Sequence, residues 1–170
     1  MSNTSGNQNS FIAKYNSSGT CQWVRGFTSD DENRVYHIAA DKQGNAFVSG
    51  RFSGKITFTN IEETAIGTHD AYLVKYNQTG AIVWYQLLTG KGETHCTKVS
   101  LDGNSNVYVG GYFSNYLKMG SDSSFALGET DLFVAKLDST GLKNWLYHKG
   151  SDKSETLNGL VALLNGDCLL

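Results

Sequence analysis

The residues able to do acid–base, nucleophilic or metal chemistry are few and scattered. The four histidines, His37, His69, His95 and His148, follow no H-E-x-x-H pattern, and no C-x-x-C or EF-hand spacing exists. No metal ligand set and no cofactor are expected from such spacing. The three cysteines, Cys21, Cys96 and Cys168, are odd in number and give no disulfide framework. They are expected to act as small buried hydrophobes. No G-x-S-x-G elbow or phosphate-binding loop occurs, so no catalytic residue is named and the chain reads as a non-enzyme. Asp30, Asp31, Glu32, Glu93, Asp152 and Glu155 fall between strand-like segments. They could form a weak cation or ligand face, but a solvated loop accounts for them more simply.

Other chemistry-bearing residues recur, and the recurrence points to the elements that hold them. Lys14, Lys75 and Lys136 are spaced by 61 and 61; so are Gly19, Gly80 and Gly141, and so are Trp23, Trp84 and Trp145. Asp41 pairs with Asp102, Asn45 with Asn106, Gly50 with Gly111, Phe52 with Phe113, Gly67 with Gly128 and Asp70 with Asp131 at the same interval. A shared long interval across many columns marks a tandem repeat. The copies cover 11–71, 72–132 and a truncated 133–170, after a polar N-terminal arm at 1–10.

Each copy breaks into short β-branched and aromatic segments bounded by turn residues. FIAKY and QWVRGFT are joined by Asn16-Ser17-Ser18-Gly19, where Asn opens a type I turn and Gly closes it in the left-handed region. Asn77–Gly80 and Asp138–Gly141 repeat that hairpin. The next two strands are joined by Asp41–Gly44 and by Asp102–Ser105. The second turn lacks its closing Gly, so Asn104 or Ser105 is expected at positive φ. Ile82 and Trp84 read as one strand face, with Val83, Tyr85 and Leu87 on the other. Apolar residues on both faces imply a sheet covered on both sides. The fold class is therefore all-β and propeller-like: about three tandem four-stranded antiparallel blades, in an incomplete ring. A two-sheet sandwich is the alternative, but it gives no reason for an exact repeat.

The order D-x-F-V-A-K-x-D-x-x-G-x-x-x-W, seen at Asp131–Trp145, and D-x-x-G-N-x-x-V-x-G-x-F, at Asp41–Phe52, resembles the bacterial SBBP β-propeller repeat. The resemblance implies a scaffold found mostly in secreted or cell-surface bacterial proteins, with no defined activity. Ser105 in place of Gly and the short third copy depart from it. Asp138–Trp145 also looks like the Asp box of sialidase-type propellers, S-x-D-x-G-x-T-W. Both its Asp–Gly and Gly–Trp intervals are one residue too long, so it reads as a hairpin.

The recurring lysines are expected to pair with a recurring carboxylate such as Asp70 or Asp131, and the tryptophans to form inter-blade core. The competing readings are a ring of cations around a channel and a set of sugar-stacking platforms.

Composition excludes some partners. Net charge is −2 and charged residues make up 18%, with no basic stripe for nucleic acid. The longest apolar runs have five residues, too short for a membrane helix. The polar start, MSNTSGNQNS, has no signal-peptide core, and both chain ends look like cuts in a longer array.

Propellers usually close with four to eight blades. The chain is therefore expected to join further blades of a longer parent, or to complete a ring as a homo-oligomer. The leading expectation is a non-enzymatic binding or display scaffold. Its ligand would contact loops that differ between copies, Thr59–His69 against Gly120–Thr130. The alternatives are a fragment of a propeller glycosidase or polysaccharide lyase with its catalytic residues elsewhere, and a self-assembling fragment with no ligand of its own.

Overall fold

Each copy lays down two hairpins and a short arm. In the computed structural model, which describes residues 9–170, the first copy supplies β1 (Ser10–Tyr15), β2 (Cys21–Ser29), β3 (Asn33–Ala40), β4 (Ala46–Phe52), β5 (Lys55–Phe58) and β6 (Ile61–Thr64). The second supplies β7 (Asp70–Tyr76), β8 (Ile82–Gly90), β9 (Thr94–Leu101), β10 (Val107–Phe113), β11 (Tyr116–Met119) and β12 (Asp122–Phe125). The third supplies β13 (Asp131–Leu137), β14 (Lys143–Lys149), β15 (Val161–Ala162) and β16 (Cys168–Leu169). The polar arm expected at 1–10 lies outside the described residues except for Asn9 and Ser10, which opens β1.

The sheets do not coincide with the copies. One has the order β3-β4-β7-β8, with β11 and β12 added beyond β8. The next runs β9-β10-β13-β14. Each therefore takes two strands from one copy and two from the next, stitched by antiparallel pairing of β4 with β7 and of β10 with β13. A third sheet, β1-β2-β5-β6, precedes them, and the β15–β16 hairpin follows. The architecture is all-β, with antiparallel four-stranded sheets and no closed barrel: a propeller-like stack of blades. The inner strands β3 and β9 pack against one another, which brings successive blades together along one edge.

Strand alternation divides the core by junction. On β7, Tyr72, Val74 and Tyr76 join Phe27, Phe52, Ile56 and Phe58 in a cluster toward the preceding sheet. Ala71 and Leu73 join Val107, Val109, Phe113, Phe133 and Leu137 toward the following one. A smaller cluster of Tyr108, Val134, Leu157 and Leu160 covers the far side of the last blade. Phe27 and Tyr72 stack with ring centroids 5.5 Å apart. Burial of each such side chain contributes about 1.5–3 kcal/mol.

Two expectations are corrected here. Ile82 and Trp84 do not share a face: Ile82 packs with Tyr85 and Leu87 on the preceding cluster, and Trp84 on the following one. The pairing jumps from Lys75↔Trp84 to Tyr76↔Ile82, so Val83 is an extra, bulged residue that reverses the alternation. Of the cysteines, Cys96 is buried, but Cys168 is half-buried and Cys21 is exposed. Cys21 stands where Ile82 stands one copy later, on a face that no preceding sheet covers among the described residues.

The turns follow their residues. The side chains of Asn16, Asn77 and Asp138 each accept backbone N–H bonds from two and four residues on. Asp41 and Asp102 do the same for Asn45 and Asn106 across the β3–β4 and β9–β10 turns. Ser105 takes the positive φ, 62°, as expected from the missing glycine.

Candidate functional site

Two of the recurring lysines make a different contact from the one expected, and the third meets a recurring carboxylate, though not Asp70 or Asp131. Lys75 Nζ donates to the Ser139 carbonyl at 2.8 Å, and Lys14 Nζ to the Gln78 carbonyl at 3.3 Å. Lys136 lies over the Tyr108 ring, 4.9 Å from its centroid, and 3.9 Å from Asp102. Asp70 and Asp131 are not their partners. They sit at the opposite end of the same strands, about 17 Å away over five residues. There the Asp70 carboxylate accepts N–H bonds from Ile66, Gly67 and Gly90, and Asp131 accepts from Leu127.

The lysine contacts belong to a repeated clasp. Trp23 Nε1 donates to the Gln78 carbonyl and Trp84 Nε1 to that of Ser139, at 3.0 and 3.2 Å. Arg25 Nε and Gln86 Nε2 donate to the Gly80 and Gly141 carbonyls at 2.6 and 3.0 Å. Three donors of one copy thus grip the first hairpin turn of the next. Trp23 and Trp84 are inter-blade packing, as expected, whereas Trp145 is exposed.

The titratable residues converge elsewhere, at the opposite end of the strands, where the connections β2–β3 and β8–β9 lie. The segment before β7 runs beside the β8–β9 connection, through a parallel bridge between His69 and Glu93 and an N–H bond from Thr94 to the His69 carbonyl at 2.8 Å. His95, the second residue of β9, opposes Tyr112 of β10, and their rings lie 4.4 Å apart. Glu32 precedes β3, which contributes Arg34 and Tyr36; Arg51 comes from β4.

Glu32 Oε1 accepts from Arg34 Nε at 2.6 Å and Arg51 Nη2 at 3.0 Å. Its Oε2 lies 3.5 Å from His69 Nε2. Glu93 lies 3.8 Å from His69 Nδ1 and 3.4 Å from His95 Nε2. Tyr36 OH meets His95 Nδ1 at 3.3 Å, and Arg51 Nη1 meets His95 Nε2 at 3.2 Å. Burial pulls the His95 imidazole down to about 4, with Arg51 and His69 adding to the effect, so the ring is neutral at pH 7. Burial alone would raise the Glu32 carboxyl, but the Arg51 and Arg34 guanidiniums together hold it below its ordinary value. Burial raises the phenols of Tyr36 and Tyr112. Two buried atoms of the cluster, Arg51 Nε and His69 Nδ1, have no hydrogen-bond partner.

Of the loop acids, the structure gathers Glu32 and Glu93 here, while Asp30 and Asp31 bond Lys55 N–H and Ser53 instead. Of the histidines, it brings together His69 and His95, not His37 or His148. Their ligand atoms and those of Glu93 all lie within 4.8 Å of one another, so these three could hold a metal ion. Spacing along the chain hid this, because the three come from two connections and a strand. The repeat held one signal: His69, Glu93 and His95 correspond to Thr130, Ser154 and Thr156 one copy later. The same backbone bridge recurs there as Thr130↔Ser154, without ionisable side chains.

The segments Thr59–His69 and Gly120–Thr130, expected to meet a ligand, hold the outer strands β6 and β12 and the connections that follow them. Only His69 reaches the polar cluster. An open groove of about 570 Å³ lies between the arm tip, Thr59–Ile61, and the edge of β8 at Ala81–Tyr85.

Among known proteins, an uncharacterized WD repeat-containing protein of Acanthamoeba polyphaga mimivirus is 26% identical over 162 residues. The match covers 84% of this chain and 12% of that protein, so the chain spans only a small part of its relative. No protein-family model matches, and none joins the chain to the SBBP repeats. Similarity to a WD repeat protein and antiparallel four-stranded sheets fit a propeller-like repeat fold. No helix among the described residues is long and apolar enough to cross a membrane.

Proposed function

We propose that this chain is a non-catalytic segment of a propeller scaffold, whose two outer faces receive further blades and whose loop end binds a partner. One observation carries the reading. Residues on the leading face are exposed although their counterparts are sealed. Phe11 is 66% exposed against 0% for Tyr72 and Phe133, and Tyr15 is 61% exposed against 0% for Tyr76 and Leu137. The trailing face repeats the pattern. Trp145 and Tyr147 stand where Trp84 and Gln86 grip the next hairpin turn, and both are exposed. One face offers an empty clasp and the other an ungripped turn, Asn16–Gly19.

The blades that fill these faces belong to a longer parent chain or to a second copy meeting the first head to tail. Partner binding at the loop end is supported by the break in repeat symmetry around His69 and His95. Display on a secreted or cell-surface bacterial protein rests on the SBBP resemblance alone.

Light scattering at several concentrations tests the open faces. The purified chain should exceed 18.6 kDa and grow with concentration. Phe11→Ser with Tyr15→Ser should restore the monomer while the far-UV spectrum is kept. A wild-type chain that stays monomeric throughout would overturn the second copy as the occupant of these faces and leave only blades of a longer parent.

A further inference from the structure

We propose that His69, Glu93 and His95 form a binding site for a divalent transition-metal ion, zinc by its ligand types, at the junction between the two complete blades. The site lies within one chain and does not rest on the assembly reading above. Two imidazoles and a carboxylate are a zinc-type donor set, and three protein ligands leave a fourth position open.

The geometry is close to what the ion requires. Tetrahedral bonds of about 2.0–2.1 Å place ligand atoms about 3.3 Å apart. His95 Nε2 lies 3.4 Å from Glu93 Oε2 and His69 Nδ1 3.8 Å from the other oxygen, Oε1, so the carboxylate must turn to present one oxygen to an ion held by both rings. The two histidine ligand atoms lie within 4.8 Å of each other.

The outward nitrogens are held as those of metal-bound histidines are. His69 Nε2 faces Glu32 at 3.5 Å, and His95 Nδ1 faces Tyr36 OH at 3.3 Å. Such partners fix the tautomer and aim the other nitrogen at the ion. The aimed nitrogen of His69 is buried without a hydrogen-bond partner, and an ion would satisfy it. A merely structural latch needs none of this. The equivalent bridge in the next copy manages with Thr130 and Ser154.

One group competes. Arg51 Nη1 lies 3.2 Å from His95 Nε2, so the guanidinium must leave that nitrogen when the ion enters. Its second bond, Nη2 to Glu32 at 3.0 Å, can persist. Arg51 thus lowers metal affinity, and its removal should raise it.

The test is a zinc titration against a chromogenic chelator at pH 7.5. It uses chelator-stripped protein in a Cys21→Ser background, because that exposed thiol could bind zinc by itself. One zinc per chain is expected. His69→Gln should weaken binding at least tenfold, His37→Gln and His148→Gln should leave it unchanged, and Arg51→Met should tighten it. His69→Gln keeps most of the side-chain volume, and its circular dichroism would verify the fold. Absence of stoichiometric zinc binding, or equal binding by His69→Gln, would overturn the site.

Discussion

Ser105 holds a left-handed backbone, φ 62°, that its counterparts Gly44 and Gly166 adopt at 80° and 91°. Thr59 and Asn115 are the other non-glycine residues at positive φ among the described residues, and glycines stand in their columns too, Gly120 and Gly54. The left-handed region costs a non-glycine residue about 1–2 kcal/mol. Ser105→Gly should therefore stabilise the fold by about 1 kcal/mol after the glycine's added unfolded-state entropy. A urea denaturation midpoint checks it.

His95 predicts a pH dependence. An ordinary histidine titrates near 6.5, and the buried ring near 4, among Arg51, His69, Glu32, Glu93, Arg34 and the phenols of Tyr36 and Tyr112. Between those values the unfolded chain binds more protons, so metal-free protein should lose stability as pH falls from about 6.5 to 4, by at most roughly 3 kcal/mol. Stability present above pH 6.5 is the neutral ring's contribution. Glu32, whose folded carboxyl is held low, adds a loss only below its ordinary value of 4.5. Urea unfolding at pH 7.5 and 4.5, with His95→Asn flattening the difference, measures this. Thiols offer a simpler reading of burial. Cys21 should react with a thiol reagent in the native protein, and Cys96, buried and with its thiol pushed up, only on unfolding.

At the scale of the element, the first hairpin of each copy shows one turn in two settings. Gly19, Gly80 and Gly141 share φ values of 80°, 77° and 89°. A Cβ on Gly19 would meet nothing within 4 Å, whereas one on Gly80 or Gly141 would lie 2.7 Å from Trp23 or Trp84. Gly19→Ala should cost only the conformational penalty of about 1 kcal/mol. Gly80→Ala and Gly141→Ala should cost roughly 2–4 kcal/mol, because the clash adds to it and opens the clasp. Thermal or urea unfolding of the three variants separates the terms. The turns themselves were legible in the sequence, since Asn, Asp and Gly act over four or five residues. The bulge at Val83 was not legible. It depends on how β8 pairs with β7, and it moves Ile82 to the face opposite Trp84.

At the scale of the whole molecule, position in the stack decides what a conserved-looking contact does. Trp84 and Trp145 occupy one repeat column, but only Trp84 is closed over by a following hairpin. Trp84→Ala should destabilise the fold by about 3–5 kcal/mol. Trp145→Ala should leave stability nearly unchanged and reduce association, read from unfolding curves beside light scattering. The same distinction applies to the leading face, where Phe11 and Tyr15 are exposed in columns whose later copies are buried.

Much of this architecture was determined by local chemistry. Periodicity, turn residues and an exact interval of 61 set the strands, the hairpins and the inter-blade role of Trp23 and Trp84 before any coordinates. Tertiary structure alone decided the rest. Pairing of β4 with β7 joins strands from different copies, which moves the sheet out of step with the repeat. Asp70 and Asp131 do not pair with the lysines because Asp70 and Lys75, close in sequence, stand at opposite ends of one extended strand, and only Lys136 finds a recurring carboxylate, Asp102. His69, Glu93 and His95 meet only because two connections run side by side at a blade junction. Side-chain chemistry over a few residues is written in the order of the chain. Juxtaposition across a junction depends on register and stacking, which emerge only when the hydrophobic faces are buried together.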